Sequence, residues 1–318
     1  MAVITAMRGL SSEQTAQALR LIATVTEADG LAPLSEHVLL HLRHGGDERG
    51  LHFLAMDGDE LVGFGHLDRT DEVNGPSAEL AVDPRHRRCG IGRALVTEMA
   101  QGAGGRLRLW AHGELAPANA LARSLGYTDA RVLWQMRRSL LAELPAPSWP
   151  EGIRLRTFLP GIDDDAWIDL NHRAFAGHPE QGRWTLADLR RRMAEPWFSA
   201  SGFLIAESEA DGRMAGFHWT KVHGAVPQHG ATGDDHHDHD HHHDPIGEVY
   251  VVGVDPAWQG HGLGRALTIA GLASMRALGL RQAMLYVEAT NAPAIALYES
   301  LGFARWDTDV LYQVRPTT

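Results

Sequence analysis

Residues 248–265 read EVYVVGVDPAWQGHGLGR and decide the fold of this chain. The segment 249–254 is apolar, β-branched and aromatic, which is typical of a strand, and Pro256 ends it because proline cannot donate to a strand ladder. A glycine-rich turn at 259–264 then precedes a segment with helical periodicity. Glycines let backbone N–H groups approach an anion, and a helix N-terminus adds partial positive charge. The stretch therefore predicts a phosphate-binding turn between a strand and a helix.

The same pattern occurs a second time, earlier in the chain. Residues 75–84 match 247–256 at an offset of 172, and Arg87, Gly90 and Gly92 match Gln259, Gly262 and Gly264 at that offset. Further on, 124–127 match 300–303 at an offset of 176. Four features in register indicate two copies of one α/β domain.

Strand and helix patterns alternate in the same order through both halves. They predict an N-terminal domain at 1–141, a Pro-rich linker at 142–152 and a C-terminal domain at 153–318 that carries a His/Asp-rich insertion at 234–244. The last strand is expected at 310–314.

The composition excludes several classes of function. Apolar residues are 44% and charged residues 22% of the 318, as in ordinary soluble globular proteins. The formal net charge of −11 falls to −6 without the five aspartates of the insertion, so no basic field exists to attract nucleic acid. No segment resembles a membrane span or a signal peptide. Cys89 is the single cysteine, which excludes a disulfide framework, and we expect a cytoplasmic monomer.

Each half resembles the GNAT acetyltransferase family. The family's acetyl-CoA motif, Gln/Arg-x-x-Gly-x-Gly/Ala, matches 87–92 and 259–264. Its later element, an Asn followed by a helix and Leu-Tyr-x-x-x-Gly-Phe, matches Asn291 and 297–303. The resemblance implies two tandem GNAT domains, each with a mixed central sheet flanked by helices, and acetyl-CoA as co-substrate without a required metal.

Over essentially the whole chain the sequence also resembles the mycothiol synthase family of tandem GNAT enzymes. The segments that carry this resemblance are GEVYVVGVDP at 247–256 and HPEQGRWT at 178–185. Members of that family acetylate the cysteinyl amine of Cys-GlcN-Ins, a thiol pseudo-disaccharide, to give mycothiol and CoA. The chain departs from the family in its long His/Asp insertion and at Cys89, where a basic residue is more usual.

Two side chains match the family's proton-transfer residues. Glu248 shares strand parity with Tyr250, Val252 and Val254, so the sequence predicts these four side chains on one face, projecting into the cleft. The resemblance implies that Glu248 is the general base and that Tyr298, on the last helix, protonates the leaving thiolate. A solvated strand-end carboxylate and a packing tyrosine are the simpler alternatives.

The coenzyme is expected to contact strand ends, both turns and the start of the last helix. In the first half, where arginines add positive charge, the residues are Leu80, Ala81, Val82, Arg87, Arg88, Cys89, Gly90, Ile91, Gly92 and Arg93. In the second half they are Val252, Gly253, Val254, Gln259, Gly260, His261, Gly262, Leu263, Gly264, Arg265, Asn291, Ala292, Pro293, Ala294, Ile295 and Ala296.

The acceptor is rich in hydroxyl groups and carries an amine, so its site needs carboxylates and other polar groups. The resemblance implies that Glu36, Glu180, Lys221, Glu248 and Tyr286 line it. Because Glu36 belongs to the first half, we expect the acceptor between the halves. An acidic residue at an ordinary helix N-terminus is the alternative for Glu36.

The first half lacks both proton-transfer groups. Pro76 occupies the position of Glu248, and Ala122 that of Tyr298. We therefore expect this half to bind acetyl-CoA or CoA without catalysing a reaction. Two other functions remain open, namely N-acetylation of another small amine, aminoglycoside or peptide N-terminus, and CoA sensing without turnover. Retention of both groups in the second half favours an enzyme.

The run DDHHDHDHHHD at 234–244 carries six histidines among carboxylates and could bind Zn²⁺ or Ni²⁺. A disordered insertion without a defined metal site is the favoured interpretation.

Overall fold

The computed structural model describes residues 2–44, 49–70, 75–177, 181–223 and 245–314. In these residues one order of strands and helices, βααβββαβαβ, occurs twice. The first copy consists of β1 (Val3–Met7), α1 (Ser12–Asp29), α2 (Glu36–His44), β2 (Leu51–Asp57), β3 (Glu60–Asp68), β4 (Ser77–Val82), α3 (Ile91–Gly102), β5 (Arg108–Ala111), α4 (Ala116–Ser124) and β6 (Tyr127–Ser139). The second consists of β7 (Ile153–Thr157), α5 (Asp164–Ala174), α6 (Leu186–Met193), β8 (Phe203–Ser208), β9 (Met214–His223), β10 (Ile246–Val254), α7 (Leu263–Ala277), β11 (Gln282–Glu288), α8 (Ala292–Ser300) and β12 (Ala304–Val314).

This order confirms the predicted duplication and α/β class. The largest difference from the sequence prediction is β12, which begins at Ala304 rather than at 310. Its first residues, ARWDTD, mix charges with one tryptophan and carry no strand alternation, so only pairing in the folded chain defines them as a strand. Glu180 and the insertion at 234–244 lie outside the described residues.

The chain forms two compact units. Unit 1 contains Met1–Trp134, Glu288–Thr290 and Asp307–Thr318, and unit 2 contains Gln135–Val287 and Asn291–Trp306. Strands β6, β11 and β12 therefore each contribute residues to both units. The units group residues by contact rather than by chain order, so the limits of the repeats at 141 and 153 stay a prediction.

Unit 1 is built on a sheet in the order β1-β2-β3-β4-β5, with β12 next to β5. Its first helix shows why the sequence folds as it does. Ser11 and Gln14 form a capping box at the start of α1, and Gly30 ends the helix in the left-handed conformation at φ 72°. The apolar stripe of α1 packs on one face of this sheet, while Leu95 and Met99 of α3 lie in the core cluster of the other face.

Unit 2 contains a sheet in the order β11-β10-β9-β8-β7. On one face, a cluster of large aromatic side chains fills the space between the sheet and the helices α5 and α6. Trp167, Trp219, Phe203 and Phe217 are each fully buried there. On the other face, Leu263 and Leu267 of α7 pack beside Val254. The two faces of β10 therefore meet different environments, which matters for the site described below.

None of the helices in the described residues combines the length and hydropathy that crossing a bilayer requires.

Candidate active site

Both glycine-rich turns have the same backbone path. Each follows a strand end, at Val254 or Val82, and leads into α7 or α3 through a glycine in the left-handed region, Gly262 at φ 81° and Gly90 at φ 85°. A Cβ on either glycine would meet no atom within 4 Å, so the outer side of each turn is open. An open turn at a helix N-terminus fits a pyrophosphate, as the sequence predicts.

The first residue of each motif fastens the turn to its own strand. The Gln259 Nε2–H donates to the Val254 carbonyl over 3.3 Å, and the Arg87 Nε–H donates to the Val82 carbonyl over the same distance. The Arg87 guanidinium also makes two hydrogen bonds of 2.8 Å to the carboxylate of Asp29. The expected contribution of Arg87 to the positive charge of the turn is therefore largely offset by Asp29.

In each copy, an arginine in the first turn of the helix that follows the glycine-rich turn contacts the last helix of that copy. Arg265 donates to the Ser300 hydroxyl over 2.6 Å, and Arg93 donates to the Ser124 hydroxyl over 2.8 Å. The contacts are equivalent in the two copies, and both hold a positive charge at the start of the helix. Arg88 lies in the left-handed region at φ 64°, where the second copy has Gly260.

The C-terminal ends of β10 and β4 lie beyond their parallel pairing. The parallel pairing of β10 with β11 ends at Glu248, which lies opposite Met284. The parallel pairing of β4 with β5 ends at Ala78, which lies opposite Leu109. The predicted contact segments 252–254 and 80–82 follow these points. Their strand edges can therefore offer backbone groups to a ligand.

A β-bulge distinguishes the second copy from the first. The pairing of β10 with β9 shifts between Val249 and Val251, so Tyr250 is the additional residue, whereas β3 and β4 pair without a shift. Because of the bulge, the prediction that Glu248, Tyr250, Val252 and Val254 share one face of β10 is wrong. Glu248 and Tyr250 face the aromatic cluster, but Val252 and Val254 do not share that face, because Val252 lies opposite His218 and Val254 packs against α7.

Glu248 is buried at the start of the aromatic face. Its Oε2 atom lies 2.7 Å from Nε2 of His223, and Lys221 is its direct cross-strand partner. Burial alone would raise the pKa of this carboxyl group, but the hydrogen bond from His223 and the charges of His223 and Lys221 outweigh burial and lower the pKa. The carboxylate is therefore ionised at neutral pH, which is the state that a general base needs.

The wall next to Glu248 consists of aromatic rings and two cations. The Lys221 Nζ atom lies 5.0 Å from the ring centre of Trp197 and 5.5 Å from that of Tyr250. The Arg192 guanidinium stacks 3.7 Å from the ring centre of Trp184, and its Nε–H donates to the Tyr250 hydroxyl. Of these residues the sequence singled out only Lys221 as a ligand.

Tyr298 is half-buried on α8, with its ring centre 5.8 Å from that of Phe303. Burial raises the pKa of its hydroxyl to about 12. Tyr298 therefore keeps its proton at neutral pH, as a proton donor must. Asn291 directly precedes α8, and its Oδ1 accepts the N–H of Ala294 over 3.2 Å, so this predicted coenzyme ligand is also an N-cap.

The remaining predicted acceptor residues lie in different places. Tyr286 follows Met284 on β11, is 42% exposed and accepts a hydrogen bond of 2.7 Å from Gln135. Glu36 is the first residue of α2 in unit 1, directly after Ser35, whose hydroxyl donates to Glu79 over 2.7 Å. The predicted ligand roles of both residues stay predictions.

The described residues include no group of three or more His, Cys, Asp or Glu side chains arranged to hold a metal ion. At the positions that match the proton-transfer residues, the first copy has Pro76 and the buried Ala122.

Known proteins share both copies of this architecture. The family model for the acetyltransferase (GNAT) family matches residues 165–303, and that for an acetyltransferase (GNAT) domain matches 48–129. A crystal structure of a GCN5-related N-acetyltransferase from Sphaerobacter thermophilus superposes with a TM-score of 0.67 at 25% identity, covering 99% of this chain and 97% of that chain. A tandem GNAT protein from the clavulanic acid biosynthesis pathway has a TM-score of 0.71 at 20% identity, covers both chains fully and shares the fold.

Sequence relatives show to which group of GNAT proteins the chain is similar. A mycothiol acetyltransferase from Acidothermus cellulolyticus is 57% identical over 92% of this chain and 89% of its own length. Another from Streptosporangium roseum is 51% identical over 96% of this chain and 97% of its own length. These similarities confirm the predicted acetyl-CoA-dependent N-acetyltransferase. The chain belongs to the mycothiol acetyltransferase family of tandem GNAT enzymes.

Proposed function

We propose that this protein acetylates the cysteinyl amine of Cys-GlcN-Ins with acetyl-CoA, giving mycothiol and CoA. The observation that carries the mechanism is Glu248, a buried and ionised carboxylate next to a β-bulge that the first copy lacks. The family relatives named mycothiol acetyltransferase support the choice of acceptor. Both proposed substrates are small molecules, and the proposed location of the reaction is the cytoplasm.

The reaction starts with the removal of a proton from the amine. A free α-amine has a pKa of about 7.7–8.0, so part of the acceptor is an ammonium ion at neutral pH. Glu248 accepts this proton, directly or through one water molecule, and the neutral nitrogen then attacks the thioester carbonyl. Lys221 and the adjacent aromatic wall exclude water around the carboxylate, which strengthens these electrostatic interactions.

Attack on the thioester produces a tetrahedral oxyanion. Backbone N–H groups at 252–254, beyond the parallel pairing of β10, are proposed to bind the pantetheine arm and to stabilise this charge. Collapse of the intermediate breaks the carbon–sulfur bond, and Tyr298 gives its proton to the CoA thiolate. The attacking nitrogen gives its second proton to water and becomes the amide, and Glu248 and Tyr298 then return to their starting protonation states by exchange with solvent. No acyl-enzyme is needed, because the amine attacks acetyl-CoA directly.

We expect Tyr298→Phe to lower kcat about ten- to hundredfold while the KM for acetyl-CoA changes little. The variant loses the proton donor but keeps the ring that packs on Phe303. A thiolate is a moderately good leaving group, so the loss should be smaller than for the base. Steady-state kinetics at pH 7 measure the effect, and an unchanged kcat would remove Tyr298 from the mechanism.

The acceptor site is proposed to use Lys221, Tyr286, Glu36 and Glu180 for the hydroxyl groups of the pseudo-disaccharide. The first copy is proposed to bind acetyl-CoA or CoA through its open turn without turnover, because Pro76 and Ala122 provide no proton-transfer group.

The direct test combines the purified protein with acetyl-CoA and Cys-GlcN-Ins. Because this acceptor carries its own thiol, CoA and the acetylated product must be followed by chromatography and mass rather than by a thiol reagent. We expect equal amounts of CoA and a product heavier by one acetyl group. If CoA is released only with another small amine, this acceptor is excluded but the enzyme class stands. If none of the amines leads to CoA release, the result favours a CoA-sensing module without turnover.

A further inference from the structure

His223 donates a side-chain hydrogen bond to Glu248. It ends β9, lies opposite Ile246 and shares its face with Lys221, two residues earlier. Its Nε2 atom is 2.7 Å from Glu248 Oε2, and its side chain is 37% exposed, against 10% for Glu248. Neither the family motifs nor strand parity pointed to this histidine.

We propose that His223 is a positioning residue for Glu248: its Nε2–H holds one carboxylate oxygen and keeps the buried group ionised, leaving Oε1 to accept the amine proton. This inference rests on the proposed function, because it assigns His223 a task in the same proton transfer. His223 acts through Glu248 and does not contact the reacting atoms.

The arrangement meets two demands of a buried base. An isolated carboxylate in a low-dielectric site would take up a proton, and a lone side chain would sample several rotamers. A hydrogen bond to one oxygen meets both demands, because it stabilises the charged form and fixes the plane of the carboxylate. It also leaves the second oxygen free of His223.

Other charged groups near Glu248 act differently. Lys221 is the cross-strand neighbour and lowers the pKa of Glu248 through its charge. On the helices that pack on this face, the cations are engaged elsewhere, Arg192 of α6 with Trp184 and Tyr250, and Arg173 of α5 with Asp255. From β11, Met284 lies opposite Glu248, and Tyr286 follows it. His223 is therefore the group whose removal should change the protonation of Glu248 most selectively.

The pH dependence of kcat tests the inference. Loss of His223 raises the pKa of Glu248, so the acid limb of kcat moves to higher pH. At saturating substrates we expect the loss of kcat in His223→Phe to be at least threefold larger at pH 5 than at pH 9. The variant His223→Gln keeps a hydrogen-bond donor without a charge, so its loss of kcat at low pH should be smaller than that of His223→Phe. His172→Gln is the matched control, because its histidine bonds to the Trp184 carbonyl rather than to a carboxylate.

A second readout needs no turnover. The ¹³Cδ resonance of Glu248, identified by its loss in Glu248→Gln, should titrate at least about one pH unit higher in His223→Phe than in the unchanged protein, which corresponds to tenfold in proton affinity. The same midpoint in both proteins overturns the inference, and so does a loss of kcat by one factor at every pH. In contrast, full activity of Glu248→Gln contradicts the proposed function itself.

Discussion

Glu248→Gln is expected to lower kcat by about 10²–10⁴-fold at pH 7, the range that a positioned general base contributes. Glutamine has the shape of glutamate and can still contact His223 and the aromatic wall, but it cannot take a proton from the amine. The KM for acetyl-CoA should remain within a few-fold, because the coenzyme turn at 259–264 is unaffected. Chromatographic measurement of CoA at saturating acceptor gives both constants.

The pH dependence makes this prediction sharper. Above pH 8 the free amine is largely deprotonated, so the deficit of the variant should become smaller. Glu299→Gln is a suitable control, since Glu299 is an exposed carboxylate beside Tyr298 on α8 and has no proposed task. Unchanged turnover in Glu248→Gln would remove the base from this position and with it the assignment of the second copy as catalytic.

The second large effect concerns stability and arises in unit 1. The imidazole of His112 lies between two carboxylates, with Nδ1 3.0 Å from Asp309 Oδ2 and Nε2 3.3 Å from Glu79 Oε2. Burial alone would lower the pKa of His112, but the hydrogen bonds and charges of both carboxylates outweigh it and raise the pKa to about 10. His112 is therefore a buried cation at neutral pH.

Replacing His112 by Asn should destabilise unit 1 by about 3–5 kcal/mol, because it leaves two buried carboxylates without their cation. For a unit of this size that lowers its melting temperature by roughly 6–20 °C. Thermal unfolding at pH 7 measures it. A double-mutant cycle with Glu79→Gln should show strong non-additivity, since the two residues belong to one network. Equal melting temperatures for His112→Asn and the unchanged protein would contradict this account.

The sign of the pH dependence follows from the two pKa shifts. The pKa of His112 is higher in the folded than in the unfolded chain, so its contribution is complete below about pH 6.5 and is lost as the pH rises towards 10. The pKa of Glu79 is lowered, since its hydrogen bonds to His112 and Ser35 outweigh burial, so its contribution is lost on acidification. Unit 1 should consequently lose stability on both sides of neutrality.

The sequence predicted the order of elements and both turns because these depend on local patterns. The strand residues before Pro256 and Pro84 and the glycines at 260 and 262 determine the backbone within a few positions of themselves. The constant offset of 172 residues then aligned the turn at 87–92 with the turn at 259–264 in the sequence. Local chemistry is enough for features of this kind.

Features that depend on pairing or on distant parts of the chain could not be predicted. The bulge at Tyr250 exists only in the register of β10 with β9, and it reversed the expected face of Val252 and Val254. His223 reaches Glu248 over 25 positions of sequence, and Asp309 reaches His112 over 197. Such contacts are set by which strands become neighbours, which no motif in either segment specifies.

The two copies differ at the level of structure as well as sequence. Both have the open turn, the tether from its first residue and the arginine contact to the next helix. The second copy adds the bulge, Glu248 and Tyr298. We therefore propose that the turn binds CoA and that catalysis requires the additions.

The central claim, that acetyl transfer occurs only at the second copy, is tested most directly by a matched pair of variants. Gly262→Asp and Gly90→Asp each place a carboxylate in an open turn, at φ 81° and 85° with no atom within 4 Å of the new Cβ, so both variants carry the same backbone strain. We measure kcat/KM for acetyl-CoA with Cys-GlcN-Ins as acceptor. The account predicts at least a tenfold loss in Gly262→Asp, since a like charge that costs about 1.4 kcal/mol changes affinity tenfold, and a change of less than twofold in Gly90→Asp. A loss confined to Gly90→Asp, or an equal loss in both, would contradict it.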